Sequence, residues 1–138
     1  MRPLKAIAVI VAGLACASPV AAQSLACPLP SQAMMRTEML FGRNIGGRLG
    51  VSERAFGRFV AREITPRFPA GLTVIDAAGQ WRDTVTGRVV HEKSKLVVLV
   101  VPDDAQARER IAAIVSSYKT QFRQQAVGIV ARPVCASF

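Results

Sequence analysis

At 138 residues, with 51% hydrophobic residues and a formal charge of +9, the chain suits one domain with one core. Its cations are scattered rather than gathered in blocks, which reads as a solvated basic surface. One histidine and three cysteines leave little for a zinc site, and the absence of Gly-x-Ser-x-Gly removes the nucleophile-elbow hydrolases.

Arg2 and Lys5 precede an apolar run from Ala6 to Ala17, and Val20-Ala21-Ala22 supplies small residues before Gln23. This is the pattern of a secretory signal peptide, 1–22, cleaved after Ala22, and its apolar core is too short to span a bilayer. Export to the periplasm or medium is therefore expected. Cys16 and Cys27 each follow Leu-Ala, but Gly13 and Ser24 stand where a lipid-attachment motif has leucine, so soluble export is preferred to lipidation. Cleavage removes Cys16 and leaves Cys27 and Cys135, an even pair in an oxidising compartment, which predicts one disulfide joining the two ends of the mature chain.

A lead-in, 23–36, carries Pro28 and Pro30 and is expected to be irregular. Thr37 to Arg43 then alternates as a strand with Thr37, Met39 and Phe41 on one side. The glycine-rich stretch to Gly50 must be a loop, and Ser52 is a good cap for a helix with Phe56, Phe59, Val60 and Ile64 inward. Arg54, Arg58 and Arg62 form its solvated row, and Pro66 ends it. Gly71 to Trp81 reads as a second strand, and Asp83 to Gly87 as the turn into a third. That third strand closes with six aliphatics, Leu96 to Val101, before Pro102 stops it. Asp103 or Asp104 caps a second helix with the stripe Ile111, Ile114, Val115, Tyr118 and Phe122. A last strand, Ala126 to Arg132, is expected to halt at Pro133.

Strand, helix, strand, strand, helix, strand is the α+β, ferredoxin-like βαββαβ order: a four-stranded antiparallel sheet with two helices on one face. Residues 37–138 form that single domain. Its first and last strands are neighbours, which brings Cys27 and Cys135 to one end of the sheet. The face without helices would carry Leu40, Ile75, Val130 and half of the Leu96–Val101 run, so a homodimer through the sheet face is expected, or else cover by the lead-in.

Two places could bind a ligand. The loop from Gly42 to Gly50 joins Arg43 and Arg48 to a helix N-terminus and suits a small anionic ligand. The loop and fold resemble those of acylphosphatases, but Asn44, the chain's one asparagine, lies in the loop itself instead of on a separate strand. The hairpin gathers Trp81, Arg82, Glu92 and Lys95, where tryptophan could stack and Glu92 could accept hydrogen bonds or serve as acid or base. On an unbulged strand Glu92 and Lys95 face opposite sides. A nucleic-acid role is not expected, since the third strand lacks the aromatics on which such sheets stack bases.

Several stretches carry a family resemblance: Thr37 to Gly42, Thr65 to Val74, Gly79-Gln80-Trp81-Arg82, Glu92-Lys93-Ser94-Lys95 and Tyr118-Lys119. Across nearly the whole mature chain the sequence resembles the bacterial family catalogued as domain of unknown function 3574. The resemblance implies a small exported protein, brings no established activity, and points to Arg67, Trp81, Glu92 and Lys95. The expected function is binding of a small or anionic ligand, or of an envelope partner, without a cofactor or metal and without chemistry. The alternative is a cofactor-independent enzyme with Glu92 as its acid or base.

Overall fold

The computed structural model describes residues 26–138, so the expected signal segment, 1–22, lies outside the described residues. The first strand, β1 (Gln32–Gly42), leads into a two-rung hairpin, β2 (Asn44–Ile45) and β3 (Arg48–Leu49). Helix α1 (Glu53–Phe59) continues as a π-helical turn over Val60–Ile64. Next come β4 (Thr73–Arg82), β5 (Val89–Val101), α2 (Ala105–Phe122) and β6 (Gly128–Ala136). The large sheet runs β4-β5-β1-β6, antiparallel throughout. This is the expected ferredoxin-like order.

The strand alternation sets the two faces. Thr37, Met39 and Phe41 of β1 and Val97, Leu99 and Val101 of β5 are buried in the core shared with the helices. From α2, Ala107, Ile111, Ile114, Tyr118 and Phe122 meet them, while Val115 is half-buried at the stripe's margin. Tyr118 lies at the centre of an aromatic cluster, with ring centroids 4.7 Å from Phe41, 5.0 Å from Phe59 and 4.8 Å from Phe122. Edge-to-face contacts of this kind add to what burial contributes. Ser52 caps α1 by accepting the Ala55 N–H, and Asp104 caps α2 by accepting that of Ala107.

The sequence pattern places the end of the first helix correctly but not its winding. The Thr65 N–H bonds the Val60 carbonyl, five residues back, at 2.9 Å. Ile64 follows Phe59 by five residues, and the wider turn brings it back to the buried side, where both side chains are at most 1% exposed.

Two boundaries are corrected. The lead-in becomes β-strand at Gln32 rather than remaining irregular to residue 36, because the prolines constrain the chain only through Pro30 and the backbone beyond pairs with β6. That pairing exists because β6 runs through Pro133 to Ala136. Proline lacks a ladder donor but is tolerated on an edge strand, and β6 is an edge. The outcome at the chain ends is a Cys27–Cys135 disulfide with Cα atoms 5.4 Å apart.

The opposite sheet face has no helix among the described residues. Register places Ile75, Leu96, Leu40 and Gly128 on one rung across all four strands. Leu40, Ile75 and the neighbouring Val130 are 46%, 44% and 52% exposed. The described part of the lead-in leaves this rung open, and its Leu29 is 95% exposed. Among the described residues no helix is long and apolar enough to cross a membrane.

Candidate functional site

Two depressions meet at the end of the sheet where β1 and β4 finish, β5 and β6 begin, and α2 returns. One, of about 250 Å³, lies on the helix-free face over Leu40, Gly42, Gly79, Ser94 and Gly128. The other, of about 650 Å³, opens between the β2–β3 turn and the β4–β5 hairpin. Trp81, Glu92, Gln124 and Gln125 border both, so the two adjoin at these residues and together make up the cleft.

Glu92 is set in place by groups far from it in sequence. A β-carbon at Gly42 would stand 2.5 Å from its Oε1, so glycine leaves the space the carboxylate fills. The Asn44 backbone N–H donates to Oε2 at 3.1 Å, and the Asn44 side chain donates to the His91 carbonyl at 3.3 Å. Beneath them the Tyr118 hydroxyl donates to the Gly42 carbonyl at 2.8 Å. Burial is the main cause raising the Tyr118 pKa, so this hydroxyl stays a donor across the physiological range. Gln124 Nε2 donates to the Asn44 carbonyl at 2.7 Å and ties the end of α2 to the same turn.

Trp81 lies on the same face as Glu92, because Trp81 pairs with Val90 and Gly79 with Glu92. Its indole Nε1 is shut off from solvent and has no hydrogen-bond partner among the described residues. Arg88 and Arg123 line the wider depression. Arg123 closes α2 in the left-handed region at φ 51°, a conformation costing an L-residue about 1 to 2 kcal/mol. Its charge suits the negative end of the helix.

The other candidates are dispersed. Arg43 and Lys95 are buried on the helix side, 3% and 6% exposed, rather than lining the cleft. Arg43 donates from Nε to the Val51 carbonyl at 2.8 Å and pairs with Glu53. Lys95 pairs with Asp76 and, at 2.6 Å, with Glu53. Lys95 thereby holds both carboxyls below their usual range, and Asp76 first, then Glu53, raises Lys95. Strand β5 has no bulge between Glu92 and Lys95, since its register against β4 is unbroken, so their side chains face opposite sides. The glycine loop folds on itself with its turn at Gly46 and Gly47, both at positive φ. Arg48 is exposed on β3, and Arg82 is exposed at the end of β4 opposite Val89. Arg67 pairs with Glu63 at 3.0 Å beyond the π turn. The structure thus brings together Trp81 and Glu92, and leaves Arg43, Arg48, Arg67, Arg82 and Lys95 outside their cleft.

Residues 36–138 match the family described as "Protein of unknown function (DUF3574)". The chain belongs to that family. No curated protein matches the sequence. Solved structures are similar to this DUF3574 chain in shape. A phage SAM lyase in complex with S-methyl-5'-thioadenosine superposes with a TM-score of 0.61 at 14% identity, covering 76% of this chain and 90% of the lyase. CutA from Synechococcus elongatus PCC7942 gives 0.51 at 11% identity, covering 78% of this chain and 83% of CutA. At such identities the likeness is one of fold. Among the described residues no group of three His, Cys, Asp or Glu side chains could hold a metal ion.

Proposed function

We propose that this DUF3574 protein is an exported binding domain that holds a small molecule in the Trp81–Glu92 cleft without transforming it. The observation that carries the reading is the half-buried Trp81, which borders both depressions and can offer a ligand the accessible part of its ring. Glu92 adds a positioned carboxylate, and a cleft of this size suits a small metabolite. The disulfide supports export, since such bonds persist in oxidising compartments.

The test is a thermal-shift screen of wild type, Trp81→Phe and Glu92→Gln against amino acids, nucleosides and phosphorylated compounds. Nucleoside thioethers belong in it, because the phage lyase of the same fold holds one. A ligand should raise the wild-type melting temperature and raise it less in both variants. No shift with any compound, or equal shifts in all three proteins, refutes the reading. Oε1 of Glu92, which has no hydrogen bond among the described residues, also favours an enzymatic alternative with that carboxylate as acid or base, in which case turnover disappears in Glu92→Gln.

The helix-free face supports a second element of the proposal, a homodimer through the sheet. The rung Ile75-Leu96-Leu40 is apolar and continuous, and the described part of the lead-in leaves it open. Light scattering should give a dimer mass for wild type and a monomer mass for Leu40→Lys; a monomeric wild type rejects the pairing.

A further inference from the structure

Two signs of charge stand unpaired in the cleft. Glu92 Oε2 is occupied by the Asn44 N–H, while Oε1 has no hydrogen bond among the described residues. Asp83, the second acid of the lining, has Oδ1 accepting the Val85 and Thr86 N–H groups at 2.8 Å each, while Oδ2 has no hydrogen bond among the described residues. Arg88 and Arg123 form no ion pair among the described residues, whereas Arg36, Arg43, Arg67, Arg108 and Lys95 all do. The groups open to a ligand are therefore one oxygen of each carboxylate, Glu92 and Asp83, and two guanidinium groups.

That combination disfavours a ligand of either single sign. A simple anion would meet the charge of Glu92, and a simple cation would meet two arginines in the same confined space. A molecule that carries both an ammonium and an acid group answers both. The apolar remainder also has a place. Trp81 offers a flat surface, and Leu40, Ala126 and Gly128 line the narrower depression. Gly79 leaves room there, since a β-carbon would find its nearest neighbour, Ser94 Oγ, at 3.7 Å.

Resting on the reading of this cleft as a ligand site, we propose that its ligand class is zwitterionic amino acids with a flat or aromatic side group. The ammonium meets Glu92, the acid meets Arg88 and Arg123, and the side group lies against Trp81. Left-handed Arg123, at the end of α2, is the residue that brings the second guanidinium to this place.

Calorimetric titration with three probes sharing one carbon frame tests the proposal: phenylalanine, phenethylamine with the cation alone, and hydrocinnamate with the anion alone. Phenylalanine should bind at least about tenfold more tightly than either single-charge probe. Glu92→Gln should erase its advantage over hydrocinnamate, and a combined Arg88→Gln, Arg123→Gln variant its advantage over phenethylamine. Equal binding of a single-charge probe, or no binding of any of the three, overturns the zwitterion. The cleft itself is judged separately by the thermal-shift screen: a ligand found there whose effect Trp81→Phe weakens keeps the cleft while rejecting the class.

Discussion

The Glu92 carboxylate occupies the volume that a β-carbon at Gly42 would take, with Oε1 2.5 Å and Cδ 2.9 Å from that position. The clash is with the end of a flexible side chain, and Gly42 has no positive φ. Gly42→Ala should therefore cost the fold no more than about 1 kcal/mol, because the glutamate can swing away. It cannot swing away and keep the Asn44 hydrogen bond. The expected outcome is a urea midpoint near wild type together with loss of the ligand response, measured on the same preparation. A large loss of stability with binding retained contradicts this role for Gly42.

Tyr118 tests the layer below. Its hydroxyl is fixed to the Gly42 carbonyl inside the aromatic cluster. Tyr118→Phe keeps the ring contacts and removes one buried hydrogen bond, leaving the carbonyl short of a partner. A loss of about 1 kcal/mol in urea unfolding is expected, with the slope unchanged.

What the sequence revealed depended on the range of the interactions. The stripe from Ile111 to Phe122, the strand ending at Val101 and the meeting of Cys27 with Cys135 rest on local periodicity, punctuation and strand order, and all are found. The glycine loop was legible as a turn but not in its purpose. Gly42 makes space for a side chain 50 positions away, and Arg43 turns inward toward Glu53, relations that exist only once β5 and α1 have packed. Arg88 and Arg123 carry no motif in the sequence. They share a cleft because the end of α2 returns to the β4–β5 hairpin. Pro133 misled because proline blocks an interior strand but not an edge.

The ion-pair group beside the N-terminus of α1 predicts the acid limb of stability. Glu53 and Asp76 have lowered folded-state pKa values, with Lys95 the first cause of each, and Asp83 is lowered first by the Thr86 N–H. Their contribution is full above the unfolded carboxyl values near 4 and disappears as pH falls through the folded ones. Lys95 has the opposite sign, contributing below its unfolded value near 10.4 and losing that contribution as pH rises past the folded one. Melting temperature should be flat from about pH 5 to 9 and fall below about pH 4. Lys95→Met should weaken the acid dependence. At neutral pH the loss should be small, since Glu53 and Asp76 are exposed and water replaces the lost partner. An unchanged acid limb in that variant would assign the titration elsewhere.

The disulfide joins residues 108 positions apart and thereby limits the unfolded chain over almost all of the described domain. Closing so long a loop contributes on the order of 2 to 5 kcal/mol in the chain-entropy account. It also holds the start of β1 against the end of β6, where Ala33 pairs with Cys135. Reduction, or Cys27→Ser with Cys135→Ser, should lower stability by that amount and loosen the β1–β6 edge first. The cleft is at the far end of β1, so ligand response at a temperature where the reduced protein remains folded should persist. Hydrogen exchange resolved by residue reads both effects: earlier loss of protection at Ala33 and Met34 than at Phe41 is the expected order. Equal loss along the whole strand would show that the bond acts on global stability alone, without a local hold on the pair.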